Sequence, residues 1–287
     1  MKIRIISPAG HIDQQVMAAG ADTLRSWGMD VDFSLHAKGQ YGRYAGTPQA
    51  RAFDIIDALN DTSVDILWCS RGGYGAQQIL DLIPVDLVAH ANKPVIGFSD
   101  ITCLHALWQK AGVASVHAPM MRHLAEYPDH RTTQALHNML LFYQSKGVWP
   151  RQNDLLRYNR NPMNLLADQH VTAPVIGGNF ANISALHGTP YDFDYEGKIL
   201  FIEDIGESPY KIDRMMNSLK LAGILDDLRG LLVGQMTGCD EDPEMPRPLM
   251  ETIREMLQPY QIPVRFDVPV GHVIENYPVV EGALYTI

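Results

Sequence analysis

Short aliphatic and β-branched runs alternate with amphipathic helical stretches through the first half of this chain, and that order admits few folds. Residues 3–7, 31–35, 64–69, 94–97 and 114–117 read as strands, and helical spacing fills 14–27, 48–59, 77–83, 85–91 and 101–110 between them. A β-α-β-α order implies a parallel sheet with helices on both faces, whose ligands bind outside the carboxyl ends of the strands. The pattern loosens between about 126 and 169. There a helix at 132–143 leads into a polar stretch containing Trp149-Pro150, Arg151-Gln152-Asn153-Asp154 and Asn159-Arg160-Asn161-Pro162. It restarts with strands at 171–176, 198–202, 230–233 and 264–267 and helices at 209–222 and 248–258. The organisation expected is an N-terminal domain over 1–145, a linker over 146–170 and a second domain over 171–287.

With 287 residues the chain can bury one large core or two modest ones. A formal charge of −10 with no Lys or Arg run excludes the basic patch that a nucleic-acid partner needs. Cys69, Cys103 and Cys239 are odd in number, far apart and without metal-ligand spacing, so they read as reduced thiols. The apolar run that opens the chain is too short for a signal peptide, and no apolar span reaches membrane length. A cytoplasmic protein with no membrane partner is expected.

The segment Pro94-Val95-Ile96-Gly97-Phe98-Ser99-Asp100-Ile101-Thr102 carries the clearest chemical signal. An apolar strand enters a glycine, a serine sits at the bend, and helical spacing follows at once. Such a turn lifts a serine hydroxyl above the sheet edge beside the first amides of a helix, which suits a nucleophile attacking a carbonyl. The same residues also suit a serine that merely caps the helix, with Asp100 supporting its first turn. Arg71-Gly72-Gly73-Tyr74-Gly75 follows another strand. It lacks the spacing of a nucleotide-binding loop and carries no Lys-Ser/Thr. It could lend an amide near Gly73 to an oxyanion hole shared with Asp100. Arg71 could then hold a substrate carboxylate and Tyr74 wall the pocket, although a plain turn also fits.

A serine needs a base, and the base a group that orients it. Of eleven histidines, His117 and His272 follow strands in parts of the chain that could face such a site. Position alone leaves both open, with His272 favoured for the glycine before it. Ile199-Leu200-Phe201-Ile202 runs directly into Glu203-Asp204, which puts two acids at a strand terminus; Glu207-Ser208-Pro209 reads as the cap of the next helix.

Taken in order, these pieces resemble the LD-carboxypeptidase family of serine peptidases. The matching segments are Ser7-Pro8-Ala9-Gly10, Ala45-Gly46-Thr47, Arg71-Gly72-Gly73-Tyr74-Gly75-Ala76, Gly97-Phe98-Ser99-Asp100-Ile101-Thr102, Gly177-Gly178-Asn179, Glu203-Asp204-Ile205-Gly206-Glu207-Ser208-Pro209-Tyr210, Ile212-Asp213-Arg214-Met215, Gly223-Ile224-Leu225 and Gly271-His272. They span essentially the whole chain. The resemblance implies an α/β protein: an N-terminal parallel-sheet sandwich domain with a nucleophile elbow, and a smaller mixed α/β C-terminal domain. It implies a Ser99–Glu203–His272 triad, an oxyanion hole from the Gly73 and Asp100 amides, no metal, no cofactor and a homodimer. It settles the base on His272 and leaves His117 as a substrate-facing residue. The implied substrate is a muropeptide, with release of D-alanine from murein tetrapeptides in peptidoglycan recycling. Where many relatives carry His-Gly-Pro-Met, this chain reads His117-Ala118-Pro119-Met120, a change that matters only if the position needs positive φ. Two rivals stand beside this reading. One is a branch resembling the microcin C immunity peptidases, which cleave aminoacyl-adenylate analogues; the other is a non-catalytic α/β small-ligand binding protein.

Overall fold

The computed structural model describes residues 1–150, 160–240 and 242–287. The chain divides into two compact units, one of Met1–Pro150 with Tyr277–Glu281 and one of Arg151–Asn276 with Gly282–Ile287. Among the described residues the first unit holds β1 (Lys2–Ile6), β2 (Asp30–Phe33), β3 (Ile66–Cys69), β4 (Val95–Gly97) and β5 (Ser115–His117). The second holds β6 (Thr172–Asn179), β7 (Ile199–Ile205), β8 (Gly230–Thr237) and β9 (Val264–Arg265). The chain end contributes β10 (Val279–Glu281) to the first unit and β11 (Leu284–Thr286) to the second.

The first sheet has the order β10-β5-β4-β3-β1-β2, parallel throughout except where β10 lies antiparallel on β5. Ile3, Ile5 and Ile6 of β1 and Trp68 of β3 are fully buried, as near-continuous apolar strands covered by helices should be. The helix Gln14–Ser26 starts where the Asp13 carboxylate accepts the Gln15 and Val16 amides, and Pro48–Asn60 starts where Thr47 caps the Ala50 amide. The second sheet has the order β11-β6-β7-β8-β9, parallel except for β11 on β6. This is the two-unit α/β architecture the sequence implies, each sheet being closed by one antiparallel edge.

Four local features differ from the sequence reading. Residues Ala76–Leu82 wind as a 3-10 helix, and a six-residue helix, Met121–Glu126, follows β5. The strands β10 and β11 are each three residues long, too short to show a period of two. The strand expected to stop at Ile202 continues through both acids to Ile205, so Glu203 and Asp204 lie inside β7. The segment 151–159, which contains much of the expected linker, lies outside the described residues. No described helix is long and apolar enough to cross a membrane, and Cys69, Cys103 and Cys239 are free and buried.

Candidate active site

In the first unit β4 ends at Gly97, and Ser99 follows with φ +67°, inside the left-handed region that a non-glycine residue enters at a cost. A helix cap takes extended backbone, so this conformation separates Ser99 from an ordinary cap. A short 3-10 turn, Ser99–Ile101, feeds the helix Thr102–Lys110. That strained strand-to-helix turn is the geometry of a nucleophile elbow. Ser99 itself is half-buried.

The loop Arg71–Gly75 packs directly behind this turn. A Cβ on Gly72 would stand 2.9 Å from the Ser99 Cβ and 3.1 Å from the Asp100 amide nitrogen, so only glycine lets the two segments approach so closely. Gly73 takes φ +103° and Gly75 φ +130°. The Asp100 carboxylate is buried and accepts the Ala76 N–H at 2.8 Å. Burial pushes this carboxyl upward, and the Ala76 amide, the Arg51 charge and the Gly75 amide pull it back. The structure thus gathers Gly72, Gly73, Ser99 and Asp100 in one unit.

In the second unit Glu203 sits where the β7–β8 register shifts between Ile202 and Asp204, the irregularity that re-aims side chains next to sites. Glu203 is fully buried, and its Oε2 lies 2.7 Å from His272 Nδ1. The carboxylate accepts there, so Nδ1 carries a proton, and the tautomer this contact selects presents its lone pair at Nε2. Oε1 has no hydrogen-bond partner among the described residues. Gly271, at φ +133°, makes the contact sterically feasible: a Cβ there would stand 2.9 Å from Glu203 Oε2. The loop is held on both sides of the imidazole, since Asn276 Oδ1 accepts the Gly271 N–H and Thr237 Oγ1 donates to the His272 carbonyl. The neighbouring acid is used differently. Asp204 accepts from Asn179 Nδ2 and from the Ala181 and Ile205 amides, and burial pushes its carboxyl up to about 6.

The remaining sequence candidates fall into distinct places. His117 is fully buried at the end of β5, its ring 5.6 Å from that of Phe98 and 6.2 Å from that of His105. It lies in the core of the first unit. Ala118 has no positive φ, so alanine in place of glycine strains nothing there. Arg71 is exposed, with Nη1 donating to the His11 carbonyl at 2.9 Å, and Tyr74 is exposed with its ring 5.9 Å from that of Tyr44. Glu207, the expected cap, instead pairs with Lys211 at 3.0 Å. Sequence reasoning missed Arg51 and the Asp100 side chain. The signal for Arg51 was present: with Ile55 and Ala58 it falls at i, i+4 and i+7 on the apolar stripe of its helix, where a charge needs a reason.

Comparisons with known proteins bear on the family of the chain. Residues 3–118 match the LD-carboxypeptidase N-terminal domain and residues 172–287 the LD-carboxypeptidase C-terminal domain. A Bacillus subtilis protein described as "Probable murein peptide carboxypeptidase" is 32% identical over 83% of this chain and 72% of its own. The fold is similar to that of a muramoyltetrapeptide carboxypeptidase from Oxalobacter formigenes, with a TM-score of 0.82 and 24% identity over 98% of this chain and 93% of that one. It is equally similar to the microcin C7 self-immunity protein MccF in complex with aspartyl sulfamoyl adenosine, with a TM-score of 0.82 and 19% identity over 100% of this chain and 92% of that one. On matches that account for both of its units, this chain belongs to the LD-carboxypeptidase family.

Proposed function

We propose that this carboxypeptidase-family protein is a serine-type enzyme that releases the terminal D-alanine of murein tetrapeptides. The observation that carries the reading is the buried Glu203 carboxylate held 2.7 Å from His272 Nδ1, an acid that orients a base. Ser99 at φ +67° supplies the nucleophile that such a base serves. The reading requires Ser99 Oγ to come within reach of His272 Nε2. His272 takes the Ser99 proton as Oγ attacks the carbonyl carbon on the L side of the scissile amide, and Glu203 stabilises the imidazolium. The oxyanion lies on the Gly73 and Asp100 amides. As the C–N bond breaks, His272 returns its proton to the D-alanine amine. Water then attacks the acyl-enzyme, giving its proton to His272, and Ser99 leaves with that proton restored.

The substrate class rests on the murein peptides named for the Bacillus subtilis relative. Action in peptidoglycan recycling, in the cytoplasm and as a homodimer completes the proposal. Likeness to MccF is a likeness of fold and does not select the microcin-type substrate. Incubating the purified chain with a murein tetrapeptide, its all-L counterpart and an aminoacyl sulfamoyl adenosine separates these readings. Selective D-alanine release, lost at least about a thousandfold in Ser99→Ala, is expected. Full release by Ser99→Ala, or cleavage of the sulfamoyl adenosine alone, overturns it.

A further inference from the structure

Asp100 has a side chain that the expected chemistry does not use, since only its backbone amide enters the oxyanion hole. Yet that side chain is 2% exposed and reaches away from its own helix to the glycine loop, where it accepts the Ala76 amide at 2.8 Å. The same stretch is gripped from its other side. Arg51, 1% exposed, donates Nη1 to the Gly75 carbonyl at 2.7 Å and to the Pro8 carbonyl. Its Nε donates to the Gly46 carbonyl at 3.0 Å, and its Nη2 to Gln78 Oε1 at 2.8 Å. One buried guanidinium therefore ties together the segments after β1, before the helix Pro48–Asn60, and after β3. All of these contacts lie within the first unit.

Two amide donors must sit about 2.7–3.1 Å from one oxygen to hold a tetrahedral oxyanion. Here the two candidates come from different loops, Gly73 from the loop after β3 and Asp100 from the turn after β4. Close packing of Gly72 against Ser99 and Asp100 brings the two loops together, and a side-chain tie between them can fix the separation of their amides. We propose that the Asp100 carboxylate, with Arg51 gripping the same loop through the Gly75 carbonyl, is the positioning device that sets the distance between the two oxyanion donors by pinning the glycine loop to the serine turn. The inference rests on Ser99 being the nucleophile.

Electrostatics explains why the device has two parts. A bare carboxylate one residue from the nucleophile would oppose the developing oxyanion. The Ala76 amide and the nearby buried Arg51 guanidinium offset that charge locally, so its strong acceptor geometry is retained while its field at the oxyanion is reduced. A neutral acceptor would be compatible with the field but would hold the loop less firmly.

D-alanine release from a murein tetrapeptide, measured with the full chain as separate kcat and KM, tests the device. Asp100→Ala removes the tie and is expected to lower kcat roughly a hundredfold with KM within about threefold, since a displaced donor is lost mainly from the transition state. Asp100→Asn keeps an oxygen for the Ala76 amide and is expected to recover kcat to within about tenfold of wild type. Wild-type kcat in Asp100→Ala, equal losses in the Ala and Asn variants, or a loss confined to KM overturns the proposal. If Asp100→Ala does not fold, Arg51→Lys carries the test. It keeps the charge but loses the planar fork on the Gly75 and Pro8 carbonyls, and a roughly tenfold lower kcat at unchanged KM is expected; wild-type kcat there overturns the proposal. Ser99→Ala in the same assay separates the two readings. If it is inactive while the Asp100 variants match wild type, only the positioning role falls; if it keeps its activity, both fall.

Discussion

At the scale of single residues, the Glu203–His272 contact depends on what stands opposite it. Glu203→Gln preserves the shape but can present an amide N–H to Nδ1, which favours the wrong tautomer. We expect kcat to fall about 10²- to 10⁴-fold with KM little changed, read by D-alanine release; unchanged kcat would remove Glu203 from the mechanism. Gly271→Ala acts on the same contact through sterics. The new Cβ would stand 2.9 Å from Glu203 Oε2 on a backbone at φ +133°, so loss of about 1–3 kcal/mol in denaturant unfolding should accompany reduced kcat. These residues were partly legible in sequence. Gly271-His272 announced a tight turn presenting an imidazole, and Glu203 stood out as an acid following an apolar run. Their contact was not, because 69 positions separate the partners and no local pattern records the pairing.

At the scale of elements, the helix Thr102–Lys110 is fastened back to the strand that feeds the serine turn. His105 Nε2 donates to the Gly97 carbonyl at 2.9 Å, and its Nδ1 lies 2.9 Å from Ser115 Oγ, which donates to it in that tautomer. Glu281 of β10 lies 3.7 Å from Nδ1, and the His117 ring is 6.2 Å away. Burial pushes His105 down from 6.5 to about 4. The folded chain thus resists a proton that the unfolded chain accepts below pH 6.5. The stability contributed by keeping His105 neutral is complete above pH 6.5 and is lost as pH falls towards 4, by roughly 3 kcal/mol. His105→Gln keeps a donor for Gly97 without titrating, so its Tm should fall less steeply than that of wild type between pH 6.5 and 4. Parallel profiles would show that other groups drive acid unfolding, His123 among them, which burial also lowers to about 4. Helical spacing made the element itself readable from sequence. That it runs from a 3-10 turn, with a histidine locked on its inner face, follows from the packing of β4 and β5 beneath it.

At the scale of the whole molecule, the last eleven residues serve both units. Val279 and Val280 complete the first sheet, and Tyr285 and Ile287 are buried in the second; all four are at most 3% exposed. Each buried side chain of this size contributes about 1.5–3 kcal/mol. Deleting residues 279–287 should therefore destabilise both units by several kcal/mol, seen as a large fall in Tm or loss of soluble protein, whereas an unchanged Tm would contradict the topology. The sequence by itself determined the class: alternating strands and helices demanded parallel sheets, and glycine, serine and an apolar strand in series demanded a sharp turn at Ser99. Periodicity and turn chemistry act between near neighbours, so they can be read along the chain. Only tertiary structure decided that β7 runs on through Glu203, that His117 belongs to a core, and that the Asp100 side chain ties the serine turn to the glycine loop that Arg51 also grips. Those outcomes depend on sheet register and on which distant segments share a buried space, and a buried charge declares its role only when its partners come together around it.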